Sequence, residues 1–389
     1  MKYKYLIIGG GMTAAAAVDG IREADPSGSI GLISAETDPP YKRPPLSKAL
    51  WKGDSLDTIW RDTGKKTVEF HLGQVVNEID PGQKRVICAN GEVFSYEKLL
   101  LATGVRPRRL EFDDESILYF RTLTDYRNLR ALAETGKRFA VIGGGFIGSE
   151  IAAALSMNGK HVTMIFPGEG IGERIFPHDL SQFLNQFYKQ KGIEVFSGEK
   201  ILGLQKNNNE LTVKTNHQDI KVEGIVAGIG SLPNIELAQV AKIETRDGIL
   251  VDEFLQTNQK DISAAGDVTF FYNPSLKKHI RVEHEDNANT MGRLAGRNMA
   301  GMAEPYHHLP FFYSDMFELG YEAVGDLDSS LETYSDWKKP YTEGVVYYLK
   351  NGQVRGVLLW NVWNQVEAAR ALIAELGPFK TADIKGRLK

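Results

Sequence analysis

A strand, a glycine-rich turn and a helix follow one another twice in this chain, and this repeat constrains the fold most strongly. The first copy is "YKYLIIGGGMTAAAAVDGIREADPSGSIGLISAE", in which a continuous apolar strand leads into the turn at residues 9–11 and a small-residue helix. The second copy, "RFAVIGGGFIGSEIAAALSMNGKHVTMIF", has the same order. A single glycine-rich turn is a weak signal, whereas two copies predict two Rossmann-like dinucleotide-binding domains in an α/β protein.

Both turns have residue types suited to phosphate binding. Gly9 and Gly11 let the backbone approach a pyrophosphate, and Ala14 takes the third position, where a small residue lets helix and strand pack closely. The helix N-terminus then faces the phosphates. Glu36, after the second strand, is placed to accept hydrogen bonds from a ribose hydroxyl. The second turn has equivalent glycines at Gly143, Gly145 and Gly148.

The duplication extends beyond the turns. Each copy is followed by a similar later segment, "LLLATGVRPR" in the first and "GIVAGIGSLPN" in the second. Between turn and segment lie short β-type runs, "TVEFHL", "VVNEID" and "RVICANGEVF" in the first copy, and "IEVFSG", "LTVKTN" and "DIKVEG" in the second. These runs predict a crossover β-meander inserted in each sheet.

Two dinucleotide sites on one chain imply two different dinucleotides, one retained and one exchanging. FAD and NAD(P)H are the chemically sensible pair. The segment "DISAAGDVTFF" places Asp267 after a short strand and a glycine, where it can bind the ribityl hydroxyls of FAD. The next segment, "HEDNANTMGRLAGRNMAG", predicts a helix whose N-terminus near Asp286 stabilises the negative charge of a reduced flavin.

Composition argues against several other classes of protein. Cys88 is the single cysteine, which rules out an intrachain redox disulfide and a Cys-ligated iron–sulfur cluster. A net charge of -4, without a dense basic tract, argues against nucleic acid or an anionic membrane as the main partner. No apolar run is long enough to span a membrane, and the chain enters a strand pattern at once, so we expect a cytoplasmic protein.

Two side-chain clusters favour structural interpretations. Residues 283–286 and the pair His307 and His308 are badly spaced for metal ligands on one face, so we expect no metal site. The aromatic stretch "WNVWN", with Trp360 and Trp363, is typical of the core of a small C-terminal domain.

The order of eight short motifs resembles a known family over essentially the whole chain. The motifs are "GGGxTAAxA", "YxRPPLSK", "ATGxxPR", "FRTLTDxxNLR", "GGGFIGSE", "SLPN", "AAGD" and "RVEHxDNA". They resemble the FAD-dependent, ferredoxin-reductase-like branch of the pyridine nucleotide oxidoreductases. The C-terminal third is most similar to the apoptosis-inducing factor group, and we expect the chain to lack the targeting segment and the C-terminal insertion of the eukaryotic members.

The resemblance implies a glutathione-reductase-like architecture of two Rossmann-like domains plus a small α+β C-terminal domain. We expect a discontinuous FAD-binding domain at residues 1–118 and 247–303, an NAD(P)H-binding domain at 119–246, and the C-terminal domain at 304–389.

The resemblance also implies roles for individual residues. Lys48 is expected near flavin N5 and paired with Glu150, and these two residues are the catalytic candidates. The prolines of "YKRPPLSK" are expected to start a helix that carries Lys48. Further implied FAD ligands are Arg43, Val76, Thr103, Gly104, Arg121, His284 and Tyr313. Further implied NAD(P)H contacts are Phe146, Ile147, Gly230 and Glu283. The sequence departs from the apoptosis-inducing factor group at Glu285, in place of a second histidine, and at Tyr313, in place of tryptophan.

The choice between NADH and NADPH depends on the segment after the second strand of the second copy. Glu169 lies there with no arginine in the first few positions, which suits a free ribose 2′-hydroxyl and repels a 2′-phosphate. Arg174, slightly later, leaves NADPH open as the less favoured alternative.

The predicted reaction is hydride transfer from NADH to FAD N5, followed by electron transfer to an external acceptor. Candidate acceptors are a small carrier such as a ferredoxin or rubredoxin, or a quinone. The alternative is a redox sensor of the apoptosis-inducing factor type, with slow NADH oxidation and a stable charge-transfer complex. A homodimer is possible in either case.

Overall fold

The computed structural model describes residues 1–112, 114–207 and 210–389. The α-helices of these residues, in chain order, are α1 Met12–Ala24, α2 Leu123–Thr135, α3 Phe146–Met157, α4 His178–Gln190, α5 Glu236–Val240, α6 Glu285–Met299, α7 Val366–Ala374 and α8 Thr381–Ile384. Short 3₁₀ helices span Pro44–Ser47, Ala49–Trp51, Leu56–Ile59 and Asp62–Lys66.

The strands, also in chain order, are β1 Lys2–Ile8, β2 Ile30–Ser34, β3 Val68–Leu72, β4 Val76–Asp80, β5 Arg85–Cys88, β6 Val93–Leu101, β7 Val105–Pro107, β8 Ile117–Tyr119, β9 Arg138–Ile142, β10 His161–Phe166, β11 Glu194–Ser197, β12 Ile201–Asn207, β13 Glu210–Thr215, β14 Asp219–Val222, β15 Gly224–Ala227, β16 Ser231–Pro233, β17 Thr245–Arg246, β18 Gly248–Leu250, β19 Ile262–Ala264, β20 Thr269–Asn273, β21 Lys278–Ile280, β22 Phe311–Met316, β23 Leu319–Gly325, β24 Glu332–Lys339, β25 Glu343–Lys350 and β26 Gln353–Trp360.

The chain forms two compact units, which are described separately. The first unit comprises residues 1–43, 56–106 and 232–310, and the second comprises 44–55, 107–231 and 311–389. The unit boundaries fall inside β7 and β16. The three-domain division expected from the sequence stays a prediction.

The first unit has a sheet in the order β3-β2-β1-β6-β5-β4, with β19 also paired to β6. The pairs β1–β2, β2–β3, β1–β6 and β6–β19 are parallel, whereas β4–β5 and β5–β6 are antiparallel. The predicted meander is therefore confirmed for β4 to β6. The placement of "TVEFHL" in it was wrong, because this run is β3 and extends the parallel part beside β2.

Two helices of the first unit, α1 and α6, pack backbone to backbone. A β-carbon added to Gly20 of α1 would lie 1.9 Å from the carbonyl oxygen of Arg293 in α6. Added to Gly292 or Gly296 of α6, it would lie 2.4 or 2.1 Å from a carbonyl oxygen of α1. The glycines are needed here because any side chain would separate the two helices.

The second unit contains a fully parallel sheet in the order β11-β10-β9-β15-β8. All four residues of β15 are buried, as expected for parallel strands covered on both faces. The meander is a separate antiparallel sheet, β12-β13-β14. The run "IEVFSG" was also wrongly assigned to the meander, since it is β11 at the edge of the parallel sheet.

The C-terminal part of the second unit is an antiparallel sheet in the order β22-β23-β26-β25-β24. Helix α7 packs on β23 and β26. Trp360 is fully buried in this sheet, as predicted, but Trp363 is 46% exposed, so its assignment to the core was wrong. Trp363 lies beyond the end of β26, where the chain has left the sheet.

Across the described residues, no helix is both long enough and apolar enough to cross a membrane.

Candidate functional site

The two glycine turns are anchored by the same backbone hydrogen bond. The Gly9 N–H donates to the Ile33 carbonyl at 2.8 Å, and the Gly143 N–H donates to the Ile165 carbonyl at 2.9 Å. Both glycines have a positive φ, 127° and 111°, which other residues rarely adopt. The strand ends and turns predicted from the sequence repeat are therefore confirmed as equivalent structures.

Close backbone approach makes the first glycine of each turn irreplaceable. A β-carbon on Gly9 would lie 2.1 Å from the Ala102 carbonyl oxygen, and one on Gly143 would lie 2.3 Å from the Gly228 carbonyl oxygen. Ala102 and Gly228 belong to the two similar segments that follow the turns in the sequence. The duplication thus includes the contact between each turn and its later segment.

The third position of each turn differs in how much space it has. Ala14 is fully buried, so a methyl group fits in the first unit. A β-carbon on Gly148 would lie 2.0 Å from the Gly143 carbonyl oxygen, so the second unit requires glycine. Because Gly148 has no side chain, the start of α3 packs directly against the turn.

The middle of each motif leaves room for a ligand. A β-carbon added to Gly145 would have no atom within 4 Å, and one on Gly11 would meet only Arg43 Nη2, at 3.9 Å. Each of these glycines directly precedes a helix, whose first N–H groups have no partners within the helix. The space, the helix N-terminus and the helix dipole fit the pyrophosphate of a dinucleotide in both units.

A three-residue polar group lies beside the first turn. Arg43 Nη2 is 2.5 Å from Glu36 Oε1, the Tyr41 hydroxyl donates to Glu36 Oε2 at 2.6 Å, and Arg43 Nη1 donates to the Tyr41 oxygen at 3.0 Å. Burial lowers the pKa of Arg43, but its electrostatic interactions with Glu36, Tyr41 and Asp267 outweigh burial and raise the pKa above its ordinary value. Arg43 is therefore a fixed cation near the Gly11 phosphate position.

The remaining first-unit candidates lie at the ends of elements. Val76 begins β4 and His284 immediately precedes α6. The Thr103 hydroxyl donates to the Asn234 carbonyl at 2.9 Å, and the Asn234 side chain returns a hydrogen bond at 2.8 Å. Gly104, with a φ of 63°, accepts from the Asn234 N–H.

Glu283, predicted at the nicotinamide, forms an ion pair with Arg281, and Arg281 also lies 3.3 Å from Asp247. Next along the chain, Asp286 in the first turn of α6 lies 2.6 Å from His308 Nε2. Glu283 before α6 and Asp286 in its first turn are therefore each held by a basic group of the first unit.

The second unit contains the predicted catalytic pair. Lys48 Nζ lies 2.6 Å from Glu150 Oε1, with side chains 12% and 4% exposed, so the predicted pairing is confirmed. The prediction that Lys48 sits on a helix was wrong, because it occupies the turn between two 3₁₀ helices, Pro44–Ser47 and Ala49–Trp51. Pro44 and Pro45 open the first of these 3₁₀ helices, where the fixed φ of proline fits the first turn, and this helix ends before Lys48.

Two serines complete the shell around Glu150. The buried Ser314 hydroxyl donates to Oε1 at 2.6 Å, and the buried Ser47 hydroxyl donates to Oε2 at 2.5 Å. With Lys48, the carboxylate has three donors, which offset the cost of removing its charge from water. The side chains that hold Glu150 come from two other stretches of the second unit, residues 44–55 and 311–389.

Aromatic residues lie next to this pair. Lys48 Nζ is 5.4 Å from the centroid of the Tyr313 ring, a cation–π distance. The neighbouring Phe312 makes an edge contact with Phe146 at 5.5 Å between centroids. Strand β22 thus supplies an aromatic ring to Lys48, a hydroxyl to Glu150, and a partner for the first residue of α3.

The nicotinamide-side candidates of the second unit form an accessible group. Phe146 and Ile147, at the start of α3, are each 36% exposed. Gly230 has a φ of 104° and its carbonyl accepts from the Arg108 N–H at 2.9 Å. Arg121, implied instead as an FAD ligand, also belongs to the second unit and lies before α2, where its N–H donates to Asp125 Oδ2 at 3.0 Å.

Glu169, the predicted ribose ligand, has a largely exposed side chain. Its side chain is 78% exposed and lies 3.7 Å from the imidazole of His178. Its backbone N–H donates to a carboxylate oxygen of Glu173 at 2.7 Å.

Sequence reasoning missed three side chains of the site. Tyr41 and Ser47 lie inside "YKRPPLSK", so their proximity to the candidates was visible in the sequence. Ser314 follows Tyr313 on a strand, where alternation places the two side chains on opposite faces. No local pattern shows that the Ser314 face meets a helix residue 164 positions earlier.

Among the residues that the structure describes, no three His, Cys, Asp or Glu side chains are grouped so as to hold a metal ion.

Two protein families match this chain. Residues 3–292 match the pyridine nucleotide-disulphide oxidoreductase family. The chain belongs to this family. Residues 295–341 and 334–375 match the C-terminal domain of mitochondrion-associated apoptosis-inducing factor.

Two relatives and one solved structure are similar over nearly the whole chain. The chain is 34% identical to mitochondrial apoptosis-inducing factor 1 of Dictyostelium discoideum, covering 96% of this chain and 78% of that protein. It is 32% identical to the ferredoxin–NAD(+) reductase component of the anthranilate 1,2-dioxygenase system of Burkholderia cepacia, covering 95% and 94%. The crystal structure of a covalent putidaredoxin reductase–putidaredoxin complex superposes with a TM-score of 0.90 at 27% identity, covering 96% of this chain and 93% of that chain.

These findings confirm the predicted fold class and the ferredoxin-reductase-like resemblance. The protein is an FAD-dependent NADH oxidoreductase whose cofactors are FAD and NAD(H). Bound FAD supplies a centre that accepts a hydride and releases electrons to an acceptor. Although the family name refers to a disulphide, Cys88 is the single cysteine and is buried, so no intrachain cysteine pair can take the electrons.

Proposed function

We propose that this protein transfers electrons from NADH through FAD to a small iron–sulfur protein of the ferredoxin type. In this proposal the first unit's turn, with Glu36 and Arg43, holds FAD, and the second unit's turn holds NADH. Lys48 donates a hydrogen bond toward flavin N5, and Glu150 fixes the position of Lys48. The proposal keeps the three-domain division expected from the sequence.

The observation that carries the proposal is the buried Lys48–Glu150 pair. Lysine in a turn and glutamate in the first turns of α3 are held together at 2.6 Å, and Ser47 and Ser314 occupy the other acceptor sites of the carboxylate. Such a pair costs desolvation free energy and is weak evidence for stability alone. A fixed cation beside the α3 turn that is predicted to bind NADH has a clear use in positioning a reacting group.

Two observations support an external, ferredoxin-type electron acceptor. The absence of a second cysteine in the sequence directs electrons to an external acceptor. The Burkholderia relative is named as a ferredoxin–NAD(+) reductase component, and the structural neighbour is a putidaredoxin reductase captured with putidaredoxin. Rubredoxins and quinones remain the other candidate acceptors. We propose a cytoplasmic location, where NADH and such carriers meet, and a possible homodimer.

The test is anaerobic mixing of the yellow holoprotein with NADH, followed by each candidate acceptor. We expect rapid bleaching of the flavin absorbance and fast reoxidation by one of the host's own ferredoxins. Bleaching without reoxidation by any ferredoxin, rubredoxin or quinone would contradict the proposed electron transfer. Absence of flavin from the purified protein would contradict the cofactor assignment itself.

A redox sensor of the apoptosis-inducing factor type is the second candidate function. It is favoured by the match of residues 295–341 and 334–375 to the C-terminal domain of that factor. This function predicts slow reoxidation, a persistent long-wavelength charge-transfer band after NADH addition, and a change of oligomeric state. Light scattering of the oxidised and NADH-reduced protein, recorded with the absorbance spectrum, separates it from the reductase.

A further inference from the structure

The two nucleotide-binding halves allow residues to be matched by strand register. In the first unit, Ile8 of β1 pairs with Ile33 of β2, and in the second, Ile142 of β9 pairs with Ile165 of β10. Each second-strand residue also accepts the N–H of the first turn glycine. Ile33 and Ile165 are therefore equivalent positions.

This register matches Glu36 to a glycine. Glu36 lies three residues after Ile33, and the residue three positions after Ile165 is Gly168. The intermediate positions support the match, because a β-carbon on Gly10 would meet the Ser34 side chain and one on Gly144 would meet the Phe166 ring. The second half thus has no side chain of its own where the first half has its acidic ribose ligand.

A carboxylate from another residue fills this place. A β-carbon added to Gly168 would lie 1.9 Å from Glu173 Oε1 and 2.6 Å from Glu173 Oε2. The Glu173 carboxylate is held there by the Glu169 N–H, which donates to Oε2 at 2.7 Å. Gly168 does not have a positive φ, so what any side chain there would meet is this carboxylate.

We propose that Glu173 is the residue that recognises the adenosine ribose of NADH and selects it over NADPH. Its carboxylate accepts hydrogen bonds from the ribose 2′-hydroxyl and repels a 2′-phosphate. The inference rests on the proposed binding of NADH to the second unit, and it replaces Glu169, whose exposed side chain faces His178 instead. Glu173, five positions after Gly168, takes the role, since the glycine leaves the space.

Arg174 sets the expected response to loss of this charge. It is exposed and directly follows Glu173, and its carbonyl oxygen accepts from the Ser329 N–H at 3.0 Å. Without the neighbouring carboxylate, its positive charge attracts a 2′-phosphate. Glu173 therefore favours the ribose 2′-hydroxyl of NADH, whereas Arg174 favours the 2′-phosphate of NADPH.

Calorimetric titration of the oxidised holoprotein with NAD⁺, 2′-deoxy-NAD⁺ and NADP⁺ tests the proposal. For Glu173→Gln we expect NAD⁺ to bind roughly tenfold more weakly, the factor typical of a lost charge-assisted hydrogen bond. The affinity for 2′-deoxy-NAD⁺ should change much less, and NADP⁺ should bind several-fold more tightly. Flavin content and melting temperature, measured on the same samples, report whether the variant is folded.

Two further variants make the outcome decisive. Glu169→Gln is the competing assignment, and a tenfold loss of NAD⁺ affinity there, with Glu173→Gln unchanged, would overturn the proposal. In a Glu173→Ala background, Gly168→Glu places a carboxylate on the residue that is equivalent to Glu36 and should restore NAD⁺ affinity. Failure of this rescue in a folded protein that still carries flavin would also count against Glu173.

If the proposed binding of NADH to the second unit is wrong, the titrations give a different result. If wild-type protein binds neither NAD⁺ nor NADP⁺, the assignment of the second unit is wrong. If wild-type binds NAD⁺ selectively and Glu173→Gln leaves the NAD⁺/NADP⁺ ratio unchanged, the second unit keeps its assignment and only the role of Glu173 is refuted.

Discussion

The two glycine turns have the same backbone and different surroundings, and the difference matches a retained and an exchanging ligand. In the first unit Arg43 reaches the turn, and its guanidinium, Tyr41 and Glu36 are linked by hydrogen bonds. In the second unit the space above Gly145 is open. A ligand enclosed by a fixed, charged loop dissociates slowly, whereas an open turn favours exchange.

The acidic residues near the two turns, Glu36 and Glu173, also differ in how firmly they are held. Glu36 is held by two side chains of its own loop, and Glu173 is held by one backbone N–H while the residue itself stays exposed. Duplication therefore kept the phosphate-binding turn and changed the contacts around it. These contacts agree with our proposal that the first half retains FAD and the second recognises NADH during turnover.

Substitution of the first glycine in each turn is the strongest way to break this comparison. Gly9→Val should abolish FAD binding, because its β-carbon collides with Ala102 and the positive φ disfavours valine. Gly143→Val should leave FAD in place and weaken NAD⁺ binding by roughly a hundredfold, given a strain of a few kcal/mol. Flavin absorbance after desalting and NAD⁺ titration measure the two effects. Loss of flavin from Gly143→Val would mean that the two sites are exchanged.

Replacement of Lys48 tests what the second unit adds to the reaction. Lys48→Ala should slow flavin reduction by about a hundredfold, a typical effect of removing one positioned donor. The dissociation constant for NAD⁺ should change much less, because the turn glycines are intact. Stopped-flow absorbance measures the rate, and Lys52→Ala, an exposed lysine of the same segment, is the matched control. A wild-type rate in Lys48→Ala would remove this residue from the mechanism.

Replacing the serines that hold Glu150 should have a smaller effect than replacing Lys48, and it tests whether the position of Glu150 matters for flavin reduction. Ser314→Ala and Ser47→Ala each remove one hydrogen bond to a buried carboxylate and should lower the free energy of unfolding by roughly 1–3 kcal/mol. If the serines orient Glu150, flavin reduction also slows, and Ser314→Thr restores it in part. Urea unfolding and stopped-flow rates report the two properties separately. Normal reduction rates in both variants would assign the serines to stability alone.

The sequence predicts the repeated elements well because their signals are local. Gly9, Gly143 and the apolar strands before them specify the turns within a few residues, and the repeat supports each copy with the other. The strands β3 and β11 were assigned to the wrong part of the sheet, because a short β run does not show whether its partner is parallel. Pairing across long sequence separations decides that point.

The candidate site shows the same limit. Lys48 and Glu150 were paired by family resemblance, whereas Ser314 and Glu173 needed the folded chain. Glu173 illustrates the reason most directly, since its carboxylate occupies the position of a residue five places earlier in the sequence. A rule based on spacing selects Glu169, and only the register of β9 and β10 identifies the empty position at Gly168.

The smallest effect that we expect concerns the stability of the two units at low pH, through one carboxylate next to an edge strand in each unit. In the first unit Asp261, just before β19, lies 2.5 Å from Lys84 Nζ and 2.6 Å from Lys98 Nζ, and these hydrogen bonds lower its pKa to about 2. In the second unit Asp114 precedes β8, and hydrogen bonds from Ser116 lower its pKa.

Because the folded-state pKa of Asp261 is depressed, its contribution to stability is complete above the unfolded pKa, near 4, and is lost as the pH falls through about 2. With both lysines partly exposed, we expect about 1 kcal/mol from this group. Asp261→Asn should therefore lower the free energy of unfolding at pH 6 by that amount and flatten its decline between pH 4 and pH 2. Urea unfolding across this range, with Asp114→Asn as the comparison, measures both slopes. Equal slopes for Asp261→Asn and wild type would show that the two lysines do not stabilise the edge of the first sheet through this carboxylate.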